Sequence, residues 1–305
     1  MAAAITNRSS TIPSWRRYLV VAFLKLANHL LLVRASIAFI IGEVIAIYLG
    51  TTILAMVVDA RPFGASPKTL IMGERNSSTN YLAKLLAKNS LIESVAGVAP
   101  KAVRGLASVL PVREQILDLW FRGKVWKHAY LDAAALEVVT DLKIIAISKH
   151  PLAWSVSMLR RPYHVSAEGK RGVHGTLEDW HSLMLRTWPT QKRERIEPDS
   201  GFNLWATKYQ SYLQAENVLM VRYEDLLSDP EKTLETIAAY LNVEVIPSQQ
   251  IQTVNSSTKS DKRTTESISS YYLEELWRNE LPSDYESYLT ESAVKVAAEL
   301  GYTDL

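Results

Sequence analysis

Hydrophobic and polar positions follow a few distinct rhythms along the chain. Ala35–Val58 (ASIAFIIGEVIAIYLGTTILAMVV) is an almost unbroken apolar run whose one charge is Glu43. About 20 such residues span a bilayer, so the run predicts a transmembrane helix over residues 35–58. Tyr18–Val33 is also apolar but is interrupted by Lys25, Asn28 and His29, the pattern of an amphipathic helix lying at an interface. Asp59–Lys68 (DARPFGASPK) then breaks the rhythm with two prolines and a glycine and reads as a linker.

From Thr69 onward, short apolar runs alternate with helical periodicity. Thr69–Gly73, Lys124–Lys127 (KVWK), Lys143–Ser148 (KIIAIS) and Val218–Tyr223 (VLMVRY) predict strands. Continuous apolar runs suit strands covered on both faces, hence a mainly parallel sheet. Within Asn80–Asn89, Leu82, Leu85 and Leu86 share one face with Lys84 and Lys88 off it, which predicts a helix. Asp229-Pro230 opens the clearest helix. Asp229 caps free N–H groups, Pro230 sits where its missing N–H costs nothing, and Leu234, Ile237, Ala238 and Leu241 recur on one face. Thr176-Leu-Glu-Asp179 is a capping-box signal for a helix carrying Trp180 and Leu183. The expected organisation is a basic segment over residues 1–34, a transmembrane helix over 35–58, a linker over 59–68 and one α/β domain over 69–305. In that domain a central, mainly parallel sheet is flanked by helices.

Composition narrows the chemistry. A chain of 305 residues that is 48% hydrophobic and 22% charged is a folded protein. Lys+Arg 34 against Asp+Glu 32 leaves a net charge of +2, which gives no electrostatic reason to expect a nucleic-acid partner. The absence of cysteine removes disulfides, cysteine-ligated zinc, iron–sulfur clusters and thiol nucleophiles. His174 and His181 form no convincing metal pair. Residues 1–42 contain no acidic residue, whereas Arg8, Arg16, Arg17, Lys25 and Arg34 are basic. That bias keeps the N-terminus cytoplasmic and carries the remainder across the membrane. Glu43 leaves a second reading open, in which 35–58 is a buried helix of a soluble protein.

Three segments carry chemistry. Gly73-Glu-Arg-Asn-Ser-Ser-Thr-Asn80 lies between a strand and a helix, where backbone N–H groups converge on an anion. Ser77, Ser78 and Thr79 add hydroxyl donors and Arg75 adds positive charge. The Gly-Lys-Ser/Thr ending of a nucleoside-triphosphate loop is missing. A serine-rich turn that merely caps a helix is the plainer alternative. The second segment, Ile147–Ser157, ends a strand in Lys149 and places Ser157 in the next helix. The third is Val218–Leu227 running into Ser228-Asp-Pro230, where Glu224 and Asp225 fix a turn. Arg160, Arg161, Tyr163 and His164 follow Ser157 by a few residues, the pattern of a solvated helix end.

The ordered set GERNSSTNYL, KHPLAWSVS and VRYEDLLSDPEKTLETIAAYL resembles the sulfotransferases that use 3′-phosphoadenosine 5′-phosphosulfate (PAPS). It is similar in particular to the branch whose loop reads Gly-Glu-Arg-x-Ser-x-Thr-Asn. The match runs from about Thr69 to Leu241, and Glu299-Leu-Gly-Tyr302 resembles the family's C-terminal end. The resemblance implies a three-layer, P-loop-like α/β fold and no metal. It implies that Arg75, Asn76, Ser77, Ser78, Thr79 and Asn80 hold the donor's 5′-phosphosulfate, with Arg75 also stabilising the transferring group. Lys149 and Ser157 would hold the 3′-phosphate, and Lys259, Lys262 and Arg263 would close over it. His128, after Trp126 and Lys127, stands where the family places its catalytic base; a histidine satisfying a strand end is the alternative. Lys127, Arg161, Tyr163 and His164 would line the acceptor site.

Three positions depart from the family pattern. Lys149 replaces an arginine, keeping the charge and losing the fork. Asn76 stands where a basic residue is usual, and Ser78 where glycine is, with a Cβ that would crowd a phosphate. The expected activity is sulfuryl transfer from PAPS to a hydroxyl, with a glycan as acceptor by analogy with Golgi enzymes of similar layout. The alternatives are a P-loop kinase-like enzyme and a catalytically degenerate, membrane-anchored nucleotide-binding protein. A type II anchor puts the domain in the Golgi lumen of a eukaryote; in a bacterium the cytosolic donor requires the cytoplasmic face. Asn76-Ser-Ser and Asn255-Ser-Ser would then be luminal glycosylation sequons, while Asn7-Arg-Ser stays cytoplasmic.

Overall fold

In a computed structural model of the protein the chain divides into two units, Met1–Pro62 and Phe63–Leu305. The structure describes residues 69–92, 95–99, 103–105, 107, 113–160, 180–181, 184, 199–244 and 265–305 of the second unit, and 25–26, 29–30, 33–34 and 42–43 of the first. The expected transmembrane run 35–58 lies outside the described residues save Gly42 and Glu43. Among the described residues no helix is long and apolar enough to cross a membrane.

The second unit is built on β1 (Thr69–Met72), β2 (Val95–Ala96), β3 (Lys143–Ser148) and β4 (Val218–Arg222), in the spatial order β2-β1-β3-β4. Every neighbouring pair is parallel, with Thr69 opposite Lys143 and Ser148 opposite Arg222. The apolar runs foretell this. Leu70, Ile71 and Met72 of β1 and Ile144–Ile147 of β3 are buried, as strands with helices on both faces must be.

Around the sheet lie α1 (Thr79–Lys88), α2 (Arg113–Trp120), α3 (Ala133–Val138), α4 (Pro151–Arg160), α5 (Gly201–Leu213), α6 (Tyr223–Ser228), α7 (Pro230–Leu241), α8 (Thr265–Leu273) and α9 (Glu291–Glu299). Two short 3-10 turns, Leu276–Glu280 and Tyr285–Tyr288, join the last two. α7 forms as its sequence predicts: the Asp229 carboxylate accepts from Lys232 N–H, and Leu234, Ile237, Ala238 and Leu241 are buried. α1 buries Leu82, Leu85 and Leu86. The capping sequence 176–179 lies outside the described residues, but Trp180 beyond it is helical and buried. Trp154, Trp205 and Trp277 join it in the interior.

One predicted strand is absent. Lys124–Lys127 is a turn-rich connection, and the strand beside β1 is the two-residue β2 instead. The backbone there makes isolated bonds rather than a ladder, with Lys127 N–H donating to Gly97 O at 3.1 Å and Gly73 N–H to Lys127 O at 3.1 Å. Gly97 permits this. Its φ is +74°, and a Cβ there would stand 2.9 Å from Val125 O and 3.0 Å from Lys127 N.

Candidate active site

The loop between β1 and α1 is shaped by its own backbone. At Gly73 (φ +152°) an added Cβ would meet Ile147 O of β3 at 2.5 Å, so no other residue lets the loop lie this close to the strand end. Ser77 closes a turn on Glu74, its N–H reaching Glu74 O at 3.1 Å and its Oγ at 2.5 Å. Asn76 (φ +65°) and Ser78 (φ +74°) are left-handed. Asparagine tolerates that conformation; serine takes it at a cost. This is a physical reason for a glycine at position 78 in the motif that the chain resembles. Ser78 caps α1 with its carbonyl, which accepts from Tyr81 N–H at 2.9 Å and Leu82 N–H at 3.1 Å. The N–H groups of Thr79 and Asn80 have no intrahelical acceptor, leaving an electropositive rim.

Beneath the loop lies a buried ion pair that the sequence reading missed. Lys208 of α5 pairs with Glu74, both fully enclosed. Glu74 Oε1 also accepts from Arg75 N–H at 2.7 Å. The adjacent Tyr209 accepts from Glu74 N–H at 3.2 Å and donates to Ile147 O at 2.9 Å. Burial pushes the Tyr209 hydroxyl well above the usual tyrosine range, so it stays a donor. A signal was present: Lys208 interrupts the apolar stripe Trp205, Tyr209, Tyr212, where a lysine needs a partner.

Arg75 is buried with its guanidinium 4.9 Å from the centre of the Trp126 ring, and its carbonyl accepts from Trp154 Nε1 at 2.8 Å. Trp126 meets His128 edge-on, ring centres 4.9 Å apart. His128 is itself buried, and its Nδ1 lies 2.6 Å from Gly73 O. A carbonyl only accepts, so Nδ1 carries the proton and Nε2 keeps its lone pair. Burial, then the charges of Lys127 and Arg75, hold the imidazole well below the ordinary histidine range, against the opposing bond to Gly73. It is neutral at pH 7. Lys127 reaches the first turn of α1, Nζ lying 2.7 Å from Asn80 Oδ1 and 3.2 Å from Thr79 Oγ1.

A second cluster forms where β3 meets α4. Lys149 is buried, its Nζ 3.0 Å from Tyr272 OH and 3.5 Å from Ser157 Oγ, at 4.3 Å and 4.6 Å from the ring centres of Tyr272 and Tyr223. No carboxylate pairs with it among the described residues. A buried ammonium held only by hydroxyls and ring faces is a site for an anion. Asn76 ties the loop to this cluster, its Nδ2 donating to Ser157 O at 3.1 Å. Burial, followed by Tyr272, raises the Tyr223 hydroxyl well above its usual range, so it stays neutral beside the lysine.

Of the remaining expectations, His150 packs between Trp277 and Tyr302, with Nε2 3.2 Å from Asp304 O. Burial and the Arg278 charge lower it to about 3. Glu224 accepts from His150 N–H at 3.0 Å and Tyr302 OH at 2.8 Å, tying the end of β3 to the C-terminal segment rather than fixing its own turn. Arg160 pairs with Glu280 and lies over Tyr271. Arg161, Tyr163, His164, Lys259, Lys262 and Arg263 lie outside the described residues. Among the described residues no group of three or more metal-binding side chains is assembled.

The site thus joins a neutral imidazole and three cations, Arg75, Lys127 and Lys149, to an anion-ready loop, which suits transfer of an anionic group to an acceptor whose proton is removed. A family model described as Sulfotransferase domain matches residues 124–300, a span holding His128, Lys149 and Ser157. Solved structures that are similar include a mouse sulfotransferase complexed with PAP, 18% identical, covering 77% of this chain and 82% of that one with a TM-score of 0.40. The sulfotransferase domain of the curacin biosynthetic pathway is 14% identical, covering 78% and 98% with a TM-score of 0.41. That of the Synechococcus PCC 7002 olefin synthase is 16% identical, covering 80% and 98% with a TM-score of 0.43. No curated protein matches the sequence.

Proposed function

Because this chain belongs to the sulfotransferase domain family, we propose that its donor is PAPS, that its acceptor is a hydroxyl group, and that His128 is the general base. The observation that carries the reading is the 2.6 Å bond from His128 Nδ1 to Gly73 O. It fixes the tautomer, points the basic nitrogen away from the carbonyl, and ties the base to the loop meant for the donor.

The residues present fit the donor. The first-turn N–H groups of α1, Thr79 and Arg75 suit the 5′-phosphosulfate, Ser77 shapes the loop through its bonds to Glu74 O, and the buried Lys149 with Ser157 suits a 3′-phosphate. Bound there, PAPS supplies the sulfuryl group, and the acceptor oxygen that replaces the leaving phosphate at sulfur leaves adenosine 3′,5′-bisphosphate (PAP). His128 Nε2 takes the acceptor proton. Arg75 and Lys127 place positive charge where negative charge develops, and Trp126 packs against both His128 and Arg75. The apolar run 35–58 and the acid-free residues 1–42 support a single-pass anchor with the domain in a lumen, which favours a glycan acceptor.

The test is PAP release from PAPS by the full chain across a panel of hydroxyl acceptors, glycans included. The reading expects acceptor-dependent release that His128→Ala slows by about 10²- to 10⁴-fold. Release at the wild-type rate in that variant removes His128 as base, and no release with any acceptor from a chain that binds PAP selects the degenerate alternative.

A further inference from the structure

Tyr272 of α8 stands between the two groups assigned to the 3′-phosphate. Its hydroxyl is 3.0 Å from Lys149 Nζ and 3.2 Å from Ser157 Oγ, and the ammonium lies 4.3 Å from the centre of its ring. Counting protons orients these bonds. Ser157 Oγ donates its one proton to Ala153 O at 2.8 Å, so toward Tyr272 it accepts. The ammonium only donates. Tyr272 therefore accepts from Lys149 and gives its own proton to Ser157. The adjacent Tyr271 points elsewhere, donating to Glu280 at 2.8 Å.

Resting on the assignment of this cluster to the 3′-phosphate, we propose that Tyr272 is a specificity-determining residue for the donor: its hydroxyl holds Lys149 and Ser157 in place and turns its proton onto the 3′-phosphate when nucleotide binds. Rotation of the Tyr272 and Ser157 hydroxyls about their C–O bonds is the movement required. Ala153 O belongs to the helix ladder and keeps that role when Ser157 also turns its proton outward. Lysine supplies charge without the directional fork of an arginine. The phenol hydroxyl, itself polarised by the ammonium, is the second directed donor that the lysine lacks.

The experiment measures affinity of the full chain for PAP and for 5′-AMP, which lacks the 3′-phosphate, in wild type, Tyr272→Phe and Tyr271→Phe. Tyr272→Phe is expected to weaken PAP about tenfold and to leave 5′-AMP within about twofold, so that the preference collapses. Tyr271→Phe, which loses its bond to Glu280, keeps the preference. Adding Lys149→Arg to Tyr272→Phe restores much of it by returning the fork. An unchanged ratio in Tyr272→Phe, whether both affinities fall or neither does, overturns the inference and leaves the donor assignment standing. So does a double variant that folds, by its thermal midpoint, and recovers nothing. A wild-type chain without preference for PAP over 5′-AMP removes the donor assignment and this inference together.

Discussion

His128 Nδ1 lies 2.6 Å from Gly73 O, a bond that spans 55 residues of sequence and joins the imidazole to the residue where β1 turns into the loop. The carbonyl settles which nitrogen is basic. Burial and the cations Lys127 and Arg75 keep the ring neutral.

With His128 as the proposed base, His128→Ala is expected to lower kcat by about 10²- to 10⁴-fold, while PAP affinity stays within about twofold. The folded imidazole titrates well below its ordinary value of 6.5, so it is deprotonated, and active, throughout the neutral range. Any acid limb of kcat/KM belonging to His128 falls below pH 6.5, and activity drops as pH falls through the depressed value. A limb centred at or above pH 7 that vanishes in a His128 variant contradicts this.

Lys208→Met strands the Glu74 carboxylate in the interior, which costs about 3–5 kcal/mol and shifts the denaturant midpoint downward. Adding Glu74→Gln recovers a substantial part, because no unpaired charge is left behind. Denaturation of both variants with a PAP titration checks this, and a single variant as stable as wild type contradicts the role of the pair.

Ser78 distinguishes conformation from crowding. Its φ of +74° is easy for glycine and severe for a β-branched residue. Ser78→Val loses about 1–2 kcal/mol in thermal or denaturant unfolding, whereas Ser78→Gly keeps the fold and PAP affinity. Equal stability of the two variants contradicts the left-handed geometry.

Asn76 Nδ2 is turned inward to Ser157 O, so the Asn76-Ser-Ser sequon is blocked once the loop has formed. Expressed in a eukaryotic secretory host, a luminal domain carries a glycan removed by Asn255→Gln and unaffected by Asn76→Gln. A glycan that Asn76→Gln removes contradicts the inward orientation of Asn76.

Much of the scaffold was legible because its signals are local. Ile144–Ser148 is buried on both faces and reads as an apolar run, and Asp229-Pro230 announces α7 within two residues. The loop, His128, Lys149 and Ser157 were named because motif residues keep their order. Lys124–Lys127 misled because a run of four residues cannot show whether its backbone joins a ladder, and here single bonds to Gly97 and Gly73 replace one. The Glu74–Lys208 pair joins residues 134 apart, and Tyr272 meets Lys149 across 123. Neither separation leaves a pattern in sequence; only a lysine on an apolar stripe hints at the first.

The most direct test of the donor assignment is calorimetric binding of PAP to the full chain, set against ATP and against Lys149→Ala. Tight binding of PAP is expected, with ATP much weaker and Lys149→Ala reducing PAP affinity about 10- to 100-fold, the worth of a hydrogen-bonded charge. Preference for ATP, or PAP affinity indifferent to Lys149, would contradict it.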